Sequence, residues 1–95
     1  MAGLTMLWTA IWCGDNRERF KRTVRQRFPR WPLPGDVGDL AASRFEEEVA
    51  LHPLPSPELP QIMEDCVFAF GGVRLVYHID SGRREAEVRE VHDAT

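Results

Sequence analysis

This 95-residue sequence lacks a long apolar run. Its longest one, LTMLWTAIWC at residues 4–13, contains two threonines and is far shorter than the ~20 residues that a helix needs to cross a bilayer. It also lacks the basic leader and the small-residue cleavage site of a signal peptide. We therefore predict a strand rather than a membrane anchor at residues 4–13, and a cytoplasmic protein.

Cysteine is also scarce, and no cysteine pair has the spacing of a metal site. Cys13 and Cys66 are the only two cysteines, and neither belongs to a CxxC motif. Two thiols and three scattered histidines do not form a metal-ligand pattern. We predict free, buried thiols, no metal and no cofactor.

A net positive charge is absent as well. The formal net charge is −3, which by itself gives no reason to expect a nucleic-acid partner. Residues 15–31, however, carry seven basic and two acidic side chains. Such a block is either a solvated helix face or a surface that binds RNA or an acidic partner. Its candidate binding residues are Arg17, Lys21, Arg22 and Arg25.

The composition is typical of one soluble globular domain that spans residues 1–95. Hydrophobic residues make up 43% of the chain and charged residues 28%, which argues against disorder. A chain of this length is large enough for one modest core and too small for two.

Two helices are predicted in the first half of the chain. The first is capped at Asp15 or Asn16 and carries an apolar stripe at Phe20, Val24 and Phe28 before Pro29 ends it. The second begins at a cap at Asp39, and Pro53 ends it. Its inward side chains are expected to be Leu40, Ala41, Phe45 and Val49. The following segment, HPLPSPELP at residues 52–60, has four prolines and is predicted to be an extended loop or arm.

The last third of the sequence predicts three strands. CVFAF and VRLVYHID flank Gly71-Gly72, a dipeptide that supplies the positive φ angles of a tight hairpin turn. If Ser81-Gly82 is the next two-residue turn, the register pairs Tyr77 with Ala86, Leu75 with Val88, and Arg74 with Arg89.

In that register His92 has the opposite parity from Arg74, and a bulge, or release of the chain beyond Val91, would be needed to bring the two together. The predicted fold class is α+β, in the order β-α-α-β-β-β. The sheet is antiparallel, with two helices packed on one face and a charged second face.

The element order and the stretch FAFGGVRLVYHIDSGRREAEVREVHD resemble the RelE/ParE superfamily of bacterial toxin-antitoxin systems. Within that stretch, VRLVYHID is similar to the family's central strand and EVREVHD to its last strand. The resemblance implies a toxin that is held in check by a cognate antitoxin protein. In the YoeB-like ribonuclease branch it implies a metal-free endoribonuclease that cleaves mRNA, usually on the ribosome.

The same resemblance implies roles for three residues. Arg74 would bind the scissile phosphate, because its planar guanidinium can contact two phosphate oxygens. His92 would be the general acid, and Glu58 would be the general base at the place of the family's Pro-Glu-Pro segment. Arg89 joins the residues of the basic block as a candidate RNA or partner contact.

Other interpretations stay open for these residues and for the chain. Arg74 could be a surface arginine paired with Glu87, His92 a histidine on a frayed strand, and Glu58 a solvated side chain. Trp8, Trp12 and Trp31 are predicted to pack in the core rather than to stack on bases. The chain could also be a ParE-like toxin that binds a DNA topoisomerase without cutting RNA, or a diverged, non-catalytic interaction module.

Overall fold

The structure is a computed structural model that describes residues 8–50, 62–80 and 82–93. Over these residues the order of elements is β-α-α-β-β-β, as predicted. Predictions for the proline-rich segment 52–60, including Glu58, and for Ser81 lie outside the described residues. The elements are β1 (Thr9–Trp12), α1 (Asn16–Arg27), α2 (Val37–Ala50), β2 (Ile62–Phe70), β3 (Val73–Asp80) and β4 (Glu85–Asp93).

Helix α1 follows the predicted apolar stripe. Phe20 and Val24 are fully buried, and Phe28, at the end of the helix, is half-buried against the core. Asn16, the first helical residue, is also buried, and its side-chain amide donates a hydrogen bond to the carbonyl of Val88 in β4. This bond joins the start of α1 to the centre of the sheet.

Helix α2 begins three residues earlier than predicted, because Asp36 rather than Asp39 caps it. The Asp36 carboxylate accepts a hydrogen bond of 2.8 Å from the backbone N–H of Asp39, the third residue of the helix. The earlier start places Val37 in the core. The inward position expected for Leu40 is wrong, since this side chain is 40% exposed, whereas Ala41, Phe45 and Val49 are buried as predicted.

The hairpin between β2 and β3 has the predicted turn. Phe70 pairs with Val73, and both intervening glycines have positive φ angles. The turn packs against the end of α1, where a Cβ on Gly71 would lie 2.3 Å from the Phe28 ring. Only glycine satisfies both the backbone angle and the close approach.

The sheet is mixed, so the prediction of a fully antiparallel sheet is wrong. Its strand order is β1-β4-β3-β2, and β1 runs parallel to β4, with Thr9 opposite Glu85 and Trp12 opposite Val88. The other two pairings are antiparallel. The sequence pattern could not predict the strand direction, because a period-two alternation of side chains is the same in parallel and antiparallel strands.

The pairing of β3 with β4 differs from the predicted register. Asp80 pairs with Glu85, so the connection has four residues rather than two, and Tyr77 lies opposite Val88. The longer turn moves the register by two residues and therefore keeps the apolar side chains on one face. Farther along, Val76 pairs with Glu90, which leaves Arg89 as the extra residue of a β-bulge.

Both helices pack on the sheet face that carries the apolar side chains. Phe45 of α2 makes edge-on ring contacts with Trp12, Phe68 and Tyr77, at centroid distances of 5.2–5.4 Å. Buried aliphatic residues of β3 and β4 complete the core: Val73, Leu75, Ile79, Ala86 and Val88. The second sheet face carries the charged residues and has no described element over it.

Two further predictions concern the cysteines and the membrane. Cys13 and Cys66 are free thiols, as predicted, although both are half-buried rather than buried. No helix within the described residues has the length and apolar character needed to cross a membrane.

Candidate functional site

Arg74 and His92 lie directly opposite each other on the open face of the sheet. The bulge at Arg89 changes the parity of β4, so that Leu75 pairs with the partly buried Val91 and Arg74 pairs with His92. Cβ atoms of directly opposed residues in an antiparallel pair are about 4.5–5.5 Å apart. Because of the bulge, both side chains lie on the same face of the sheet, which the predicted register did not allow.

Arg74 is exposed and makes no ion pair with any other described residue. The alternative in which it pairs with Glu87 is not observed, because Glu87 lies opposite His78 and accepts a hydrogen bond of 3.0 Å from Arg89. An exposed guanidinium without a carboxylate partner can bind an anion such as phosphate through two parallel hydrogen bonds.

Glu90 holds the imidazole of His92. Its carboxylate oxygen lies 2.6 Å from Nε2 of His92, and both side chains remain about half exposed. With a hydrogen on Nε2, the imidazole donates this bond and keeps Nδ1 for a ligand. Glu90 was not among the residues predicted from the sequence. The i, i+2 spacing of the two residues in one strand was the signal that could have identified it.

The basic residues of α1 lie on the helical side of the sheet, away from Arg74 and His92. Three of the four predicted contact residues bind carboxylates of α2 or of its cap: Arg17 with Glu46 at 3.2 Å, Lys21 with Asp39 at 2.7 Å and Arg25 with Asp36 at 2.7 Å. The fourth, Arg22, is exposed and has no ion pair among the described residues. Much of the positive charge of the block is therefore balanced inside the molecule.

These ion pairs change the proton affinity of their members. The hydrogen bond to its carboxylate raises the pKa of each of the three cations, Arg17, Lys21 and Arg25. The pKa of Asp36 is lowered, first by the hydrogen bond from Arg25 and then by the backbone N–H of Asp39. Arg17, Lys21, Arg25 and Asp36 are therefore charged at neutral pH.

Two other polar groups near the core are poor candidates for proton transfer or nucleophilic attack. Burial raises the pKa of the Tyr77 phenol. Burial, followed by the nearby Asp65 carboxylate, also raises the pKa of the Cys66 thiol. Both groups are protonated at neutral pH, so neither is an activated nucleophile.

The remaining charged residues of the open face form a groove of about 230 Å³. It is lined by His78, Asp80, Arg83, Glu85, Glu87 and Arg89. Its two arginines each contact a carboxylate within the groove, Arg83 with Asp80 and Arg89 with Glu87. Across residues 8–50, 62–80 and 82–93, no group of three or more His, Cys, Asp or Glu side chains could hold a metal ion.

Comparison with known proteins finds no relative of this chain. No protein-family model matches it, and no curated protein and no solved structure is significantly similar to it. Arg74, Glu90 and His92, together with the order of the elements, are therefore the observations from which a function can be inferred.

Proposed function

We propose that this chain is the toxin component of a toxin-antitoxin system, similar to the RelE/ParE superfamily, and that it cleaves mRNA. The observation that supports the proposal is the pairing of Arg74 with His92 on the open sheet face. A cation for the phosphate and an imidazole for proton transfer are two of the groups that RNA cleavage needs. A cytoplasmic location belongs to the proposal, since mRNA and ribosomes are found there.

In the proposed reaction a ribose 2′-hydroxyl attacks the adjacent phosphorus, and the bond to the 5′-oxygen breaks. The products are a 2′,3′-cyclic phosphate and a 5′-hydroxyl. Arg74 stabilises the negative charge that builds up on the phosphate oxygens. His92 acts in its imidazolium form: it donates its Nδ1 proton to the leaving 5′-oxygen, while its Nε2–H donates to Glu90, which keeps the ring in place. The resemblance assigns the removal of the 2′-hydroxyl proton to Glu58, and no metal takes part.

The proposed partners are a cognate antitoxin and mRNA on the ribosome. The antitoxin would contact the α1 helix and an edge of the sheet. Arg22 of α1 and Arg30 after it are exposed and have no ion pair with another described residue. A small open reading frame for such an antitoxin next to this gene would support the proposal.

Induced expression in cells followed by primer extension on a reporter mRNA tests the nuclease. We expect new 5′ ends in wild type and at least a tenfold loss of them in Arg74→Ala, since loss of one stabilising group in a comparable site costs about 10²–10³ in rate. Arg44→Ala is the matched control. Arg44 is an exposed arginine of α2, on the helical side, without an ion pair among the described residues.

The variant His92→Gln separates proton transfer from side-chain volume. It keeps a side chain that can bind Glu90 but cannot donate a proton as an acid does. We expect it to lose cleavage while its thermal unfolding stays close to that of wild type. Cleavage at the wild-type level in both Arg74→Ala and His92→Gln would refute the proposed site.

A second candidate function is a ParE-like toxin that binds a DNA topoisomerase and does not cut RNA. It is favoured by the internal ion pairs of Arg17, Lys21 and Arg25, which leave less free positive charge for phosphate contacts than an RNA-binding helix usually offers. Growth arrest with intact mRNA and defective DNA supercoiling would support this function. Absence of any effect on growth would support a diverged interaction module instead.

A further inference from the structure

An apolar cavity of about 400 Å³ lies directly after helix α1. It is lined by six consecutive residues: Arg27, Phe28, Pro29, Arg30, Trp31 and Pro32. Pro29 and Pro32 restrict the backbone of this loop, so its shape is largely fixed in the free protein. This volume is sufficient for a flat aromatic ligand.

The aromatic wall of the cavity is anchored to the core. The ring of Trp31 packs edge-on against Phe28 at 5.8 Å, and Phe28 packs in the same way against Phe70 at 6.1 Å. Trp31 is half-buried, in agreement with its predicted packing role, and still lines the cavity. A ring that is already held in place loses little conformational entropy when a ligand stacks on it.

The charged groups of the cavity are of one sign. Its lining contains two arginines and no carboxylate. Arg27 is bound by Asp93 at 3.3 Å, whereas Arg30 is exposed and has no ion pair with another described residue. Aromatic and proline side chains next to a free guanidinium are suited to a flat ring that carries a neighbouring negative charge.

The cavity lies at the same end of the sheet as Arg74 and His92. The Gly71-Gly72 turn, which leads into β3, contacts Phe28 and Arg27. Asp93, the partner of Arg27, follows His92 in β4 and pairs with Val73, the residue before Arg74. Asp93 therefore connects the cavity on the helical side to the Arg74 and His92 pair on the open side.

We propose that this cavity is a base-binding subsite for single-stranded RNA. An unstacked nucleobase stacks on Trp31, its phosphate contacts Arg30, and a neighbouring nucleotide extends around the end of the sheet toward Arg74. The subsite rests on the proposed RNA substrate but not on its cleavage. A proline-rich peptide also fits aromatic grooves, but the exposed guanidinium of Arg30 and the absence of a carboxylate in the lining favour a polyanion.

Binding is measured with a fluorescent eight-nucleotide 2′-O-methyl RNA, which lacks the attacking hydroxyl and cannot be cleaved. We expect the Kd to rise about 5- to 150-fold in Trp31→Ala, the effect of losing one base stack. Trp31→Phe restores most of the affinity. Arg30→Ala weakens binding and makes it less dependent on salt. Leu33→Ala, an exposed apolar residue outside the lining, is the matched control and keeps the wild-type Kd.

Photocrosslinking of 4-thiouridine RNA to the wild-type protein gives an answer even if Trp31→Ala fails to fold. We expect mass spectrometry to locate the crosslink within residues 27–32. Crosslinks only at other residues, or an unchanged Kd in both Arg30→Ala and a folded Trp31→Ala, would overturn the subsite. If a proline-rich peptide displaces the RNA at a lower concentration than unlabelled RNA does, the cavity binds a peptide. That result would also overturn the RNA subsite.

The subsite and the nuclease can fail independently. If the wild-type chain cleaves mRNA and Trp31→Ala binds RNA with the wild-type Kd, the nuclease is supported and the subsite is refuted. If the chain binds the oligonucleotide through Trp31 but primer extension shows no new 5′ ends, the subsite is supported and the nuclease is refuted. No binding of the RNA by wild type refutes the subsite outright.

Discussion

At the scale of single residues, two glycines allow the cost of backbone strain to be measured separately from the cost of a steric clash. Gly14 and Gly71 have nearly the same φ angle, 56° and 57°. A Cβ at Gly14 would meet nothing within 4 Å, whereas at Gly71 it would lie 2.3 Å from the Phe28 ring. The two positions form a natural matched pair.

We expect Gly14→Ala to lower the free energy of unfolding by about 1–2 kcal/mol, the cost of the left-handed conformation for a residue with a side chain. Gly71→Ala should cost at least about 1 kcal/mol more, because Phe28 must also move. Urea unfolding of both variants measures the difference. Equal losses would mean that Phe28 adjusts without cost and that the turn does not fix its position.

The candidate site also shows what single residues could and could not indicate. The outward position of Arg74 followed from strand alternation and is confirmed. Its partner could not be predicted, because the position of His92 depends on a bulge that no residue in EVREVH marks. Bulges without glycine arise from the packing of both ends of a strand, which a local pattern does not contain. Glu58 stays a prediction, since it lies outside the described residues.

At the scale of elements, α1 and α2 are joined by ion pairs whose effect depends on pH. The folded-state pKa of Asp36 is lowered by Arg25 and by the helix N–H. Its contribution to stability is therefore fully present above the unfolded-state pKa of aspartate, about 3.9, and is lost as the pH falls through the lower folded-state value.

We expect Asp36→Asn to unfold more easily than wild type at pH 7 and to lose less additional stability between about pH 4 and pH 2. Asparagine keeps the capping hydrogen bond, so the variant removes the charge alone. Asp15→Asn, before α1, is the control, because that carboxylate is exposed and lies 3.7 Å from Arg19. Parallel acid profiles for Asp36→Asn and wild type would contradict the assignment. Unfolding is followed by circular dichroism.

Because of the bulge in β4, we expect two nearby deletions to differ strongly in their effect on stability. Deleting Arg89 removes the extra residue, so Glu90 follows Val88 directly and both halves of the ladder keep their partners. Deleting Glu87 instead turns Val88 outward and sets Arg89 opposite Tyr77, facing the core. A buried, unpaired charge costs several kcal/mol.

We therefore expect the variant without Arg89 to fold with a free energy of unfolding within about 1 kcal/mol of wild type. The variant without Glu87 should be largely unfolded at 25 °C. Two-dimensional NMR spectra of the two proteins distinguish the outcomes. A folded Glu87 deletion with an intact core would show that the register of β4 is not fixed by its apolar residues.

The helices were the most predictable elements. Phe20, Val24, Phe45 and Val49 have the helical period, and all four are buried. The start of α2 was misplaced, because both Asp36 and Asp39 are acceptable caps and the choice depends on Val37 reaching the core. The turn from β3 to β4 was misjudged for a related reason. Two-residue and four-residue turns give the same side-chain parity, so alternation cannot distinguish them.

At the scale of the whole molecule, the first and last strands lie side by side. The parallel pairing of β1 with β4, the buried Trp8 and the hydrogen bond from Asn16 to Val88 join the first described strand to the last. The predicted order of elements was correct, but this long-range pairing decides which strands are central. It depends on the packing of β1 under α2, and thus on the whole core rather than on any one segment.

The parallel pairing of β1 and β4 also determines how the protein resists force. A pull on the two ends of the chain draws β1 and β4 in opposite directions along their length, so all of their hydrogen bonds are loaded together in shear. A pull across the Gly71-Gly72 hairpin would instead open the β2 and β3 bonds one after another. The described strands therefore resist a pull along β1 and β4 better than a pull that separates β2 from β3 one hydrogen bond at a time.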